Sequence, residues 1–347
     1  VAAANNLADR LQTLWDEQKR DWPMMARGVE FLAQSELRDV ENDGLCVRLQ
    51  FNPGRVASAS AKVDAKSIAE RPCFLCEKNR PAEQRGIDAG DGYVFLCNPM
   101  PIFEPHFTVP TLAHQPQRIE TSLPKMLELA ERLSGKYTVF YNGPKCGASA
   151  PDHLHLQASP LGATPFEKHL TSPQKPGHGP QGLGRDDTDC TPRLTAAPPG
   201  RRGPGAARAP GPPRRAAAGV DVAITSAPPA LIITGHDRAA VQKRIEQAIA
   251  KLAEHFPADP EPMLNALALH THGKFHAVLF PRKSHRPTNF GHGPAPDEVL
   301  VSPGLVDMLG LLITPRREDF DQLTGLAVAK IYDEVSRSRE DLDPLIA

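Results

Sequence analysis

Asp152-His153-Leu154-His155-Leu156-Gln157 alternates polar and apolar side chains residue by residue. In an extended strand the side chains at i, i+2 and i+4 share a face, so His153, His155 and Gln157 are expected on one side while Leu154 and Leu156 enter a core. Immediately upstream, Asn142-Gly143-Pro144-Lys145-Cys146-Gly147-Ala148-Ser149-Ala150 is rich in small residues, which let backbone N–H groups approach an anion closely. Alone, a His pair on an apolar strand is as readily structural or metal-binding, and a Gly-Ala-Ser loop is a weak phosphate signal. Their adjacency points to imidazoles facing a bound phosphate.

Outward from this segment, strands and helices alternate. Leu45 to Phe51 reads as a strand ended by the turn Asn52-Pro53-Gly54, and Tyr93 to Cys97, His106 to Val109 and Tyr137 to Tyr141 read as further short strands. Leu7, Leu11, Leu14 and Trp15 have helical spacing, with Pro23 expected to end that helix. Leu123, Met126, Leu127, Ala130 and Leu133 form one helical face, with Ser122 the expected N-cap and Gly135 just beyond the end. Later, Ala230 to Thr234 is an expected strand, Val241, Ile245, Ala248, Ile249 and Leu252 a helical stripe, and Met263 to His270 and Phe275 to Phe280 a hairpin around His272-Gly273-Lys274. A helix is expected near Phe320 to Val335.

The 347 residues suggest about two cores. With 40% hydrophobic and 23% charged residues, and no apolar run near the ~20 residues of a membrane span, the chain reads as globular and not membrane-embedded. Forty Lys and Arg against 41 Asp and Glu give a net charge of −1, so no global basic field exists for coating nucleic acid. No basic start followed by an apolar run reads as a secretory signal, and the expected location is cytoplasmic. Proline is the outlier at 36 residues, roughly twice the usual share. The excess concentrates between about Thr171 and Ala218, where Pro, Gly, Arg and Ala leave almost no large apolar residue, as in Pro198-Pro199-Gly200-Arg201-Arg202-Gly203-Pro204. Such a stretch builds no core. It is either a flexible insert or a frameshifted piece of a GC-rich gene, whose out-of-frame codons yield these residues.

Six cysteines are too few for a disulfide scaffold, and Cys73-Phe74-Leu75-Cys76 reads as metal or redox chemistry, with buried free thiols the plain alternative. A tetrahedral site needs two more ligands, and the absence of a second Cys-x-x-Cys leaves them to histidines. Cys97, Cys146 and Cys190 carry no assigned role. Arg282, Lys283, His285 and Arg286 form a basic cluster after a strand, able to meet a sugar phosphate or a nucleotide tail, or simply a solvated turn.

The segment from Gly147 to Gln157 resembles the His-x-His-x-Gln active-site segment of the histidine-triad superfamily's transferase branch. That branch contains galactose-1-phosphate uridylyltransferase, diadenosine tetraphosphate phosphorylase and GDP-hexose phosphorylases. His106-Phe107-Thr108-Val109-Pro110 followed by His114 resembles the strand and histidine that precede the triad there, and Phe280-Pro281-Arg282-Lys283 resembles the corresponding strand of a second half. Outside the insert the chain is similar to uncharacterised Bacteroidetes proteins of this superfamily. The resemblance implies an α+β fold with an antiparallel sheet, packed helices and two related halves, at residues 1–170 and 220–347 on either side of an insert at 171–219. It implies that His155 is a nucleophile forming a covalent nucleotidyl-histidine, with Gln157, which cannot titrate, donating hydrogen bonds to the phosphoryl oxygens. Asn142, Gly147, Ser149, Arg282 and Lys283 become the expected nucleotide and phosphate contacts. Cys73, Cys76, His114 and His153 become the expected ligands of a structural Zn²⁺. The implied substrate is a nucleoside diphosphate sugar or a dinucleoside polyphosphate, the acceptor a phosphate or sugar phosphate, with room for a homodimer. A nucleotide hydrolase of the same superfamily, or a nucleotide-binding protein with a dead site, are the rival readings. Nothing in the sequence selects the base.

Overall fold

The computed structural model describes residues 6–60, 64–171, 219–225 and 228–346, so most of the Pro/Gly/Arg-rich stretch, and Cys190 within it, lies outside the described residues. The strands are β1 (Glu36–Asn42), β2 (Leu45–Phe51), β3 (Gly86–Gly90), β4 (Tyr93–Cys97), β5 (Phe107–Pro110), β6 (Tyr137–Asn142), β7 (His155–Pro160), β8 (Val220–Ile224), β9 (Leu231–Gly235), β10 (Leu264–Thr271), β11 (Lys274–Pro281) and β12 (Leu311–Thr314). Nine of them form one sheet in the order β3-β4-β5-β7-β6-β10-β11-β9-β8, and β1-β2-β12 form a second, smaller sheet. Every pairing in the large sheet is antiparallel, whereas β12 joins β2 in parallel.

The strand order contains a repeat. In the first part, β4 and β5 are followed by the helix Ile119–Arg132 and then β6 and β7. In the second, β8 and β9 are followed by the helix Arg238–His255 and then β10 and β11. Both give the spatial order first, second, fourth, third, and the two third strands, β6 and β10, meet with Asn142 opposite Asn265 and Val139 opposite Ala268. By this correspondence Phe280-Pro281 ends the equivalent of β7, not of β5.

Period-two alternation divides the side chains between two cores. From β6, Val139 and Tyr141 join Leu154, Leu156 and Ala158 under the helices Leu7–Asp21, Ile119–Arg132 and Arg238–His255. Phe140, Leu267, Leu269, Val278 and Phe280 point the other way, to Val47 and Leu49 of β2, Leu312 of β12 and the helix Gly325–Val335. Because Leu154, Leu156 and Ala158 are committed to the helical side, His155 and Gln157 face the side covered by the small sheet.

Several expected boundaries move. Pro23 does not end a helix; it occupies the first turn of the next, Pro23–Ala33, where its missing N–H costs nothing. The helix expected from Ser122 starts at Ile119, whose N–H is held by the remote Glu261 carboxylate at 2.7 Å. The C-terminal helix divides at Thr324, whose hydroxyl caps Gly325–Val335 by accepting from Ala327 N. Among the described residues no helix is long and apolar enough to cross a membrane.

Candidate active site and metal centre

β7 begins only at His155, and His153 lies in the turn before it. The expected three-residue face is therefore two residues: His155 and Gln157 line a cleft of about 560 Å³, while His153 turns away from it. The imidazole of His155 is only 4% exposed, and burial holds its pKa down, to about 4. Its Nδ1 sits 2.8 Å from the His153 carbonyl, which can only accept. Nδ1 therefore carries the proton, and Nε2 keeps its lone pair for the cleft.

Gln157 is oriented by His106, which is fully buried and stacked on Phe140. His106 Nδ1 accepts from Ile102 N at 3.2 Å, so its other nitrogen is the donor, and that nitrogen lies 2.9 Å from Gln157 Oε1. Burial lowers the His106 pKa to about 3, which keeps this tautomer neutral. With Oε1 engaged, the Gln157 amide NH₂ remains for the cleft.

Continued two residues past its end at Phe140 and Gln157, the β6–β7 register brings Asn142 opposite His155. The buried Gln117 fills this position, accepting from His155 N at 2.8 Å and donating to the carbonyls of Asn142 and His155 at 2.9 and 3.0 Å. A polar residue outside any strand gave no sequence signal for this role.

Asn142, Gly147 and Ser149 all border the cleft beside His155. Asn142 Oδ1 accepts from Asn265 Nδ2 and Leu305 N, both at 2.8 Å, leaving its NH₂ as the remaining donor. Gly147 has φ +96°, and a Cβ there would stand 2.7 Å from the Gly304 Cα, so both conformation and close approach require glycine. The N–H groups of Cys146 and Ala148 turn inward to the Gly143 carbonyl. Arg282 and Lys283 do not belong to this group. Arg282 is 1% exposed and its five N–H donors go to Val335 O, Asn265 Oδ1, Pro303 O, Ser284 O and His285 O. A guanidinium so saturated has none left for a phosphate, so the expectation for Arg282 is corrected to a structural one. Lys283 is exposed and is not among the residues that line the cleft.

The cations at the cleft are instead Arg55, Arg71 and Arg286. Arg55 donates to Met100 O at 2.7 Å, and burial lowers its pKa to about 10. Arg71 donates through Nη2 to Ser149 O and Asp152 Oδ1, while its buried Nε–H has no partner among the described residues. Arg286 packs over the Phe290 ring at 3.9 Å. Of the three, only Arg286 stood in a recognisable sequence cluster; the others arrive through tertiary packing.

Cys73, Cys76, His114 and His153 bring their ligand atoms within 4.8 Å of one another. Cys73 Sγ is 3.2 Å and Cys76 Sγ 3.6 Å from His153 Nδ1, and Cys76 Sγ is 3.2 Å from His114 Nδ1. Zinc–ligand bonds of roughly 2.0–2.3 Å in a tetrahedron place neighbouring ligands roughly 3.3–3.8 Å apart, so the spacing fits a metal. The His153 tautomer fits too: Nε2 donates to Thr111 O at 2.7 Å, freeing Nδ1 toward the thiols. The cluster can coordinate a metal ion.

Two half-sheets joined edge to edge, with His-x-His-x-Gln entering the strand beside the junction, make this a histidine-triad-like fold. Among solved structures it is similar to yeast Ap4A phosphorylase Apa2 in complex with Ap4A, at 15% identity and a TM-score of 0.54 over 95% of this chain and 98% of that one. The complex of the same enzyme with AMP gives 15% identity and a TM-score of 0.50 over 92% and 95%. At this identity the likeness is one of fold. Residues 14–160 match the model of a family described as a domain of unknown function (DUF4922). No curated protein matches the sequence.

Proposed function

We propose that the protein is a nucleotidyltransferase or phosphorylase working through a covalent nucleotidyl-His155, on a nucleoside diphosphate sugar or a dinucleoside polyphosphate. The observation that carries this reading is the His155 tautomer: Nδ1–H fixed on the His153 carbonyl, Nε2 unprotonated at an arginine-lined cleft. Nε2 attacks the α-phosphorus, the P–O bond to the leaving group breaks, and its electron pair departs with the sugar phosphate of a nucleotide sugar or with the remaining nucleoside polyphosphate of a dinucleoside polyphosphate. The His153 carbonyl stabilises the imidazolium that forms. An oxygen of the acceptor phosphate or sugar phosphate then attacks phosphorus, the P–N bond breaks, and Nε2 regains its lone pair. The Gln157 NH₂ and the Arg71 Nε–H donate to non-bridging oxygens. Gln157 has no proton-accepting nitrogen with which to activate water, which favours transfer over hydrolysis.

Zinc suits the Cys₂His₂ set and would act as a closed structural crosslink, holding the segment that carries His153 two residues from the nucleophile. Incubation with α-labelled nucleotides and nucleotide sugars tests the reading by an acid-labile protein adduct. His155→Asn keeps a donor for the His153 carbonyl but removes Nε2, so it should fold and lose the adduct. An undiminished adduct in that variant would overturn the assignment.

A further inference from the structure

The cleft extends past Gln157 to a wall with different chemistry. Trp22, Met24 and Phe74 border it, and Met24 and Phe74 are 48% and 46% exposed, unusual for side chains of that size. The Arg71 guanidinium lies 5.2 Å from the centre of the Phe74 ring. Flat apolar faces of this kind stack on a nucleobase.

Three side-chain amides border the same end, and the backbone fixes which way each is turned. Asn79 donates its NH₂ to Cys73 O at 2.9 Å, and Gln84 donates its NH₂ to Cys97 O at 3.1 Å, so each keeps its carbonyl oxygen for another partner. Asn98 is held the opposite way: Oδ1 accepts from Met100 N at 3.0 Å, keeping the NH₂. Among the described residues no protein group bonds the three remaining functions. The amide ends that the backbone leaves wholly unengaged are therefore two acceptor oxygens and one donor NH₂, the second N–H of Asn79 and of Gln84 lying on the end already held by a backbone carbonyl. It also adjoins the reacting end, because Asn98 N donates to the carbonyl of His106, whose ring holds Gln157.

On its Watson–Crick edge guanine presents one acceptor, O6, and two donors, N1–H and N2–H₂. Adenine presents one donor and one acceptor there, and uracil one donor between two acceptors. Two acceptors and one donor complement guanine alone among these three. We propose that this end of the cleft is a nucleobase subsite that selects guanine, with Asn98 donating to O6 and Asn79 and Gln84 accepting from N1–H and N2–H₂, so that the substrate is a guanine nucleotide. The proposal rests on the reading of the cleft as a nucleotide site and deepens it.

Titration calorimetry of the intact chain with GMP, AMP and UMP tests it without any catalytic step. GMP should bind at least about tenfold more tightly than either, since a mismatched base leaves a polar group unpaired. Asn98→Asp keeps the oxygen that accepts from Met100 N and replaces the donor with an acceptor. It should weaken GMP by roughly tenfold or more and remove the preference over AMP. Wild-type protein binding AMP or UMP as tightly as GMP overturns the proposal, as does a preference unchanged in a folded Asn98→Asp variant. Adducts formed equally from guanine, adenine and uracil donors would sink this inference and spare the nucleotidyl-His155 mechanism. Guanine-selective binding with no adduct would do the reverse, and no binding of any nucleotide would sink both.

Discussion

Replacing Gln117 by Ala removes the side chain that completes the ladder between Asn142 and His155 and leaves three buried backbone groups without partners: His155 N–H, His155 C=O and Asn142 C=O. An unsatisfied buried polar group costs about 1–3 kcal/mol, so the variant should lose on the order of 3 kcal/mol or more. At ~2–4 °C per kcal/mol for a chain somewhat shorter than this, the melting temperature should fall by roughly 6–12 °C. The nucleophile sits on the same peptide groups, and ~1 Å of misplacement can cost ~100-fold in rate, so adduct formation should slow far more than binding weakens. Gln117→Glu separates geometry from volume. Its carboxylate can still accept from His155 N, but a second oxygen then faces two carbonyls, so the folded state favours the protonated acid and the glutamate pKa rises above its unfolded value. The destabilisation should be smallest below the ordinary carboxyl value of about 4, where the single O–H of the protonated acid still leaves one of the two carbonyls unpaired, grow as pH rises, and level off above the folded-state pKa. Thermal and urea unfolding across pH 4–8, with adduct-forming rates alongside, measure both effects. Gln117→Ala within ~0.5 kcal/mol of wild type and undiminished in rate would refute the reasoning.

Two further outcomes follow from the site. Because burial holds the His155 pKa near 4, the adduct-forming rate should stay level from pH 7.5 to about 5.5 and drop only toward pH 4, whereas an ordinary imidazole would lose activity around its pKa of ~6.5; stopped time courses across this range distinguish them. Elemental analysis should find about one zinc per chain, with Cys73→Ser and Cys76→Ser each lowering metal content and melting temperature and activity falling as a consequence; metal-free protein at full stability and activity would refute the centre.

What the sequence made readable was what local pattern controls. β2 lies where alternation put it and β4 where its aromatic and β-branched content did, with Val47 and Leu49 committed to one core and Tyr93, Phe95 and Cys97 to the other. The Cys pair could be read as metal chemistry from its spacing, and the structure joins it to His114 and His153. The errors came where a distant residue decides the local outcome. Glu261 moves a helix start by holding Ile119 N, and Gln117 governs the backbone around His155 from outside the strands. Arg282 looked like a phosphate ligand because its neighbours are basic, but burial turned all its donors onto carbonyls. Arg55 and Arg71 reach the cleft from segments with no pattern of their own.

The pairing of β6 with β10 means that the sequence boundary between the repeats is not a seam in the molecule. A protease cutting between Thr171 and Gly219 would sever the chain and none of the strand pairings among the described residues. Each piece, if parted, would carry a raw sheet edge, β6 on one and β10 on the other, and the C-terminal piece would take β12 away from β2. The nicked protein should therefore stay assembled under native conditions, its two fragments behaving as the obligate subunits of a heterodimer whose shared edge lies beside the nucleophile.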